Sequence, residues 1–420
     1  MLMTLATIRR MQPAQLNRRL RIAYSIAVLL LAVWLACMVA IAIAFEPEMY
    51  FFSYFSVDYT LGFVRRGLAG EMLDLFPADR YFTGLWTLRW LVSASFIVSL
   101  VVVVWTVAIR FGRSERRLML ALLIPVLPFG FAFAVFCPHS DLFAGAALAG
   151  FAAALAVVKE DRSVLFTSAA YGFTITGLTL IHEAVPLLFS LGAVLAVVAL
   201  SAHRSTNVQW RSALLAVVPG LVLTLAIGLF GRRGISSQLC ALVPHRPVDW
   251  PAAGKLTMGQ IFNGQHFYVD YQDWVCRNII KRFDQTPGDA AKFVGSVGAG
   301  PLVTSLVFGI FVFAVTVLAI RYVSGVPFRR FCNVLRGRLL LVALAAVLIL
   351  PAFATAVDWV RWWVTISFDV GVIYLLYASS QPEAAELPRW RTRVVFAVGA
   401  ILLALLPIGT VPNLGIPVPV

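Results

Sequence analysis

Four groups of ionisable residues stand at the ends of long apolar runs, where charge is costly and chemistry is a natural reading. The first is Asp58 with Arg65 and Arg66, in the stretch VDYTLGFVRRGLAGEML. Arginine forks match the oxygens of a phosphate; the competing reading is a surface helix whose basic residues reach lipid headgroups. The second is His139 and Asp141, in Cys137-Pro138-His139-Ser140-Asp141. These two can hold a metal, pair with each other, or leave Ser140 or Asp141 to cap the next helix. The third is His182-Glu183, a pair between two apolar segments, where a carboxylate needs a partner or water; a hairpin tip touching water is the plainer reading. The fourth is Asp358 with Arg361, three residues apart and so on one helix face, able to pair. Asp369, about two turns further on, reads as a structural group needing a partner or water.

The elements that hold these groups follow from composition. Of 420 residues, 60% are hydrophobic and 13% charged, with a mean hydropathy of +0.88. Soluble domains carry roughly 25% charge. A soluble enzyme, a secreted disulfide scaffold and a disordered chain are all excluded. A spanning helix needs roughly 20 mostly apolar residues. Eleven segments qualify, within a range of ten to twelve: 22–45, 85–109, 118–136, 142–158, 164–181, 184–200, 214–230, 301–320, 339–356, 364–377 and 394–411. The alternating segments of a β-barrel are absent. The expected fold is all-α: a polytopic transmembrane helical bundle occupying 22–420 after a basic N-terminus, 1–21. The first span keeps its apolar run too long for a cleaved leader and reads as a signal anchor. The aromatic runs Tyr50–Phe55 and Trp359–Trp363 read as interfacial belts.

Orientation follows from arginine and lysine in short loops. With the N-terminus in the cytoplasm, 21 of the 34 basic residues fall inside. The net charge of +14 then reads as a topological signal facing anionic lipid, not as a nucleic-acid footprint. Two loops on the outer side are long, 46–85 and 231–300, and the first is expected to carry a juxtamembrane helix beyond Gly62. All four ionic groups fall on the outer side. The inner side shows acids scattered among arginines. Cys240 and Cys276 share the second long loop; in an oxidising compartment they can bridge, and two unpaired thiols are the alternative.

The acid-bearing first outer loop beside a juxtamembrane helix, with HE and DWVRW at later outer mouths, resembles the GT-C class of integral membrane glycosyltransferases. The stretch VDYTLGFVRRGLAGEML also looks like multi-pass proteins of bacterial surface-polysaccharide clusters. The resemblance covers the first half best and does not reach the 231–300 loop. It implies a polyprenyl-phosphate-linked sugar donor, a glycan or lipid acceptor, and a multi-pass protein of the bacterial inner membrane. Asp58 would then be the base and Glu183 a second catalytic carboxylate. Arg65, Arg66 and Arg361 would hold the lipid phosphate, with His139, Asp141, His182 and Asp358 around the sugar. A divalent metal is compatible, but a His-x-Asp spacing fixes no ligand set. The alternatives are an O-antigen-type polymerase or ligase, a transporter or flippase, and a structural assembly partner. A transporter would place ionisable residues deep in several spans, whereas only Asp369 is read as deep.

Overall fold

The computed structural model describes residues 18–44, 49–250, 254, 256–406 and 409. Helices occupy every one of the eleven apolar segments: α1 (Arg18–Ala44), α2 (Tyr81–Trp105), α3 (Glu115–Leu123), α4 (Phe131–Phe136), α5 (Asp141–Leu155), α6 (Asp161–Thr179), α7 (Val185–Leu200), α8 (Thr206–Phe230), α9 (Ala299–Ser324), α10 (Leu339–Val347), α11 (Trp359–Ser380) and α12 (Trp390–Leu405). Seven stretches among the described residues are long and apolar enough to cross a membrane, while α5 and α7 are shorter. The chain is an all-α membrane protein. The third segment is split into α3 and α4 because Pro125 and Pro128 interrupt the helical hydrogen-bond ladder; a single 3-10 turn, Ile124–Val126, bridges part of the gap.

Burial sorts the helices by position. Helices α7 and α11 are enclosed on nearly all sides, whereas α1, α8, α9 and α10 leave leucine, valine and phenylalanine side chains uncovered, as expected of a face in contact with lipid. Small residues set the closest approaches. A Cβ on Gly172 of α6 would lie 2.0 Å from the carbonyl oxygen of Leu215 on α8, so these two helices pack backbone to backbone.

At the end of the bundle that carries the two long loops, the first loop folds inward. Phe51, Phe52, Tyr54 and Phe55 are buried and Tyr50 is half-buried. The belt reading is corrected here: these rings pack against other parts of the chain, and that partnership has no local sequence signature. Trp362 is buried as well. The expected juxtamembrane helix exists but is short, Gly67–Leu73. It begins only after Arg66, whose backbone is left-handed at φ +65°, a conformation that interrupts a right-handed helix. Gly70 donates its N–H to the carbonyl of Val57 at 3.0 Å. A Cβ there would come within 2.3 Å of that oxygen, so only glycine allows the helix to lie on the preceding strand of chain.

The second long loop has structure of its own. Helices Ser236–Leu242 and Tyr271–Asn278 are joined by a Cys240–Cys276 disulfide with a Cα–Cα separation of 5.5 Å. Strands Pro247–Asp249 and Tyr268–Asp270 pair antiparallel, Val248 opposite Val269. Ser56 and Tyr271 share a hydroxyl hydrogen bond. Arg232 donates its backbone N–H to Phe63 at 2.8 Å, and Arg246 stacks on Phe82. The second loop is thereby fastened onto the first.

The opposite end of the bundle also buries charge. Glu115, at the start of α3, accepts a hydrogen bond from the Tyr24 hydroxyl at 2.8 Å. It also accepts two from the Arg393 guanidinium, at 2.6 and 2.8 Å. Arg116 and Arg117 donate to the carbonyls of Val323 and Ser379 near the ends of α9 and α11. The reading of this side as scattered acids is corrected at Glu115, which ties together α1, α3 and α12.

Candidate functional site

The long-loop end gathers five separate pieces of chain around one buried ionic network. Tyr50 and Tyr54 come from the first loop, and Arg65 and Arg66 from just before its helix. His139 and Asp141 open α5, His182 and Glu183 form the turn between α6 and α7, and Asp358 and Arg361 open α11. The left-handed backbone at Arg66, the only non-glycine with positive φ among the described residues, costs of order 1–3 kcal/mol. The geometry it secures is a two-pronged grip on Glu183: Arg66 Nε to Oε2 at 2.9 Å and Nη2 to Oε1 at 3.0 Å. Arg65 stands behind it, with Nη1 3.6 Å from Glu183 and Nη2 donating to the carbonyl of Arg282. Phe283 lies under Arg65 at 4.4 Å, and Tyr54 lies under Arg66 at 4.7 Å, the spacing of cation–π contact.

Arg361 joins the other two acids. It donates through Nη2 to Asp358 at 2.8 Å and through Nη1 to Asp141. The expected i, i+3 pair is therefore present. The Tyr50 hydroxyl donates to the same Asp358 oxygen at 2.9 Å and meets the Tyr54 hydroxyl at 2.8 Å. Ser140 is the N-cap of α5 but makes no side-chain cap bond, and Asp141 is the first helical residue. Its carboxylate instead meets Arg361, His182 Nδ1 and His139 Nδ1, the last at 3.0 Å. The capping reading is corrected because three cationic or donor groups from other segments compete for the same oxygens. The imidazoles of His139 and His182 lie 5.1 Å apart, edge to face, and Tyr54 abuts both.

Electrostatics follow from burial against partners. Burial alone would raise the Glu183 carboxyl, but Arg66, His182 and Arg65 outweigh it and hold the group well below the usual carboxylate range. Asp358 behaves likewise: burial pushes it up, and Arg361 and the Tyr50 hydroxyl bring it down overall. Burial draws Arg65 down to about 10, against the pull of Glu183. Burial, reinforced by the positive charge of Arg361, lowers His139 to about 3, so its ring is neutral. A neutral ring satisfies one of two contacts at Nδ1: it accepts the Asp141 N–H at 3.2 Å or donates to the Asp141 carboxylate. In either tautomer Nε2 has no hydrogen-bond partner among the described residues.

Eight of the nine residues singled out in the sequence thus meet in this network. Asp58 stands apart: its Oδ1 accepts the N–H of Thr60 at 2.8 Å, a local turn bond, and its charge acts on Asp74. The arginines differ from the sequence expectation in being already engaged by carboxylates, so a phosphate would have to exchange with Glu183 or with Asp141 and Asp358. Sequence reasoning missed Tyr50 and Tyr54, whose polar tips close the circuit. It also missed Arg89, a buried guanidinium on α2 that donates to Val135 at 3.0 Å and stacks on Trp90. Asp369, deep in α11, accepts the Gly192 N–H at 3.2 Å.

A narrow cleft descends from the network between Phe96, Phe133, Phe189 and Phe368, with room for about one water molecule. A polytopic helical membrane protein with a buried acid–arginine–histidine site at one end of the bundle is the class that fold and site together define. The chain belongs to the family described as uncharacterised membrane protein Rv1490, whose model matches residues 24–404. It is 41% identical over 375 residues to uncharacterized protein Rv1490 of Mycobacterium tuberculosis, covering 88% of this chain and 86% of the relative. Uncharacterized protein Mb1527 of Mycobacterium bovis is similar to the same extent. No solved structure matches the chain.

Proposed function

We propose that the protein is a membrane glycosyltransferase. It moves a sugar from a polyprenyl-phosphate-type donor to a glycan or lipid acceptor at the periplasmic face of the bacterial plasma membrane. The observation that carries this reading is the fork of Arg66 on Glu183, with Arg65 3.6 Å from the same carboxylate and two further arginines that have no carboxylate partner among the described residues. Arg232 and Arg233 donate to the carbonyls of Leu61 and Gly228. Neither makes an ion pair among the described residues, which favours a phosphate. A donor phosphate that takes Arg65 and Arg66 releases Glu183. The freed carboxylate loses the neighbours that hold it acidic and becomes a stronger base. It then accepts the proton of the acceptor hydroxyl while that oxygen bonds to the sugar's anomeric carbon. The bond from that carbon to the phosphate oxygen breaks, and the lipid phosphate leaves with its charge held by the arginines.

Asp58 is the competing base. The deciding experiment expresses the wild type, Glu183→Gln and Asp58→Asn in a strain lacking the protein, at matched membrane abundance. Envelope glycan and lipid-linked sugar are then followed by mass spectrometry. The proposal expects glycan loss and donor accumulation with Glu183→Gln and near-normal glycan with Asp58→Asn. The reverse pattern moves the base to Asp58. Normal glycan with both removes the transferase reading, and counterflow of labelled substrate through vesicles would then favour a transporter.

A further inference from the structure

We propose that His139, Asp141 and His182 bind one divalent transition-metal ion, with zinc as the ion their donor set fits best. Each offers a ligand atom within 4.8 Å of the other two, and all three residues are buried. Two imidazole nitrogens and one carboxylate oxygen are the protein ligands of open, three-residue zinc sites, which leave a fourth position for water or substrate. Harder ions prefer oxygen-rich shells and fit this set less well. Three observations set the cluster apart from a chance meeting of polar groups. His139 and His182 each present Nδ1 to the Asp141 carboxylate, one ring at each of its oxygens. Arg361 donates to Asp141, the kind of outer hydrogen bond that orients a ligand carboxylate. The cleft between Phe96, Phe133 and Phe368 borders His139 and Asp141 and admits about one water.

A second group, His245, Asp270 and Asp273, is also close enough to share an ion, but it is more exposed. There Asp270 Oδ1 accepts the N–H of Asp273 at 3.0 Å as a helix cap, and the same oxygen meets His245. The buried group is therefore the stronger ligand set. Within the network the carboxylates of Asp141, Glu183 and Asp358 balance Arg65, Arg66 and Arg361, so an ion must bring an anion with it. A zinc-bound water, whose pKa falls to about 7, would offset one of the ion's two positive charges as hydroxide.

The test uses the full chain purified in detergent, stripped with a chelator and reloaded with zinc, or with cobalt as a coloured substitute. The expected result is one equivalent of ion retained after desalting, with the visible bands of four-coordinate cobalt. His139→Gln and His182→Asn should each weaken binding by more than the roughly 10–100-fold that losing an outer hydrogen-bond partner costs. His245→Gln should leave binding intact. His139→Cys keeps a ligand, so it should retain cobalt and add a thiolate charge-transfer band, which separates ligand loss from misfolding. Absence of stoichiometric ion in folded wild-type protein overturns the site, as does retention unchanged in both His139→Gln and His182→Asn. The readout involves no sugar transfer: bound ion without transfer removes only the enzymatic reading, and transfer without bound ion removes only the metal.

Discussion

Two glutamates at opposite ends of this bundle are held in the same way and sit in different company. Glu115 takes both prongs of Arg393, and Glu183 takes both prongs of Arg66. Around Glu115 the remaining arginines reach helix-end carbonyls, so the cluster works as a clasp between α1, α3 and α12. Around Glu183 stand two histidines, two further acids, a pair of tyrosines and a left-handed arginine. A buried ion pair alone therefore says little about function; its neighbours decide. Where they are backbone carbonyls, the charge is spent on architecture. Where they are exchangeable side chains, a ligand can compete for it.

The comparison can be broken most sharply at Arg361. Arg361→Met leaves Asp141 and Asp358 buried without their cation, and we expect a loss of about 3–5 kcal/mol, read as an earlier thermal unfolding in detergent. Stability equal to wild type would mean that the two acids are not held by this arginine. Next in size is Glu183→Gln, which should cost about 10²-fold or more in transfer rate with the fold retained by circular dichroism. Glu115→Gln should do the opposite. It weakens the clasp by about 1–3 kcal/mol while transfer per folded molecule is unchanged, and a matching loss of transfer would erase the distinction between the two ends. The smallest effect is Tyr50→Phe, about 1 kcal/mol, seen in the same melt.

Acidification sharpens the same contrast. The Glu183 carboxyl is lowered in the folded protein, so its contribution to stability is present above the unfolded value of about 4.5. It is lost as pH falls toward the folded value. In Arg66→Gln the folded value rises, so the acid-induced drop in the melting temperature that Glu183 contributes should shrink. An unchanged pH profile would remove Arg66 as the cause.

Much of this was legible in the chain itself. Apolar runs located the helices, and the Asp358–Arg361 spacing announced its pair. Ionisable residues at run ends marked eight members of the network. What escaped was set by contacts distant in sequence. Tyr50 meets Asp358 across 308 positions, and nothing in an aromatic run tells a ring facing lipid from one facing a carboxylate. Arg89 lies inside an apolar run, and only the packing of Trp90 and α4 shows that it is enclosed. Asp58 keeps to its own turn, where its carboxylate accepts the Thr60 N–H, and no local pattern distinguishes it from the acids that join the network.

The enclosure of α11 has a consequence for biogenesis. This helix leaves the ribosome after α1 to α10, yet it is enclosed on nearly all sides in the finished protein, and it delivers Arg361 to Asp141, made more than two hundred residues earlier. Until it arrives, Asp141 lacks its arginine and Tyr50 lacks Asp358. Nascent chains halted before residue 358 should therefore linger as unfinished bundles, open to membrane proteases, and protease resistance should appear only once Arg361 has entered.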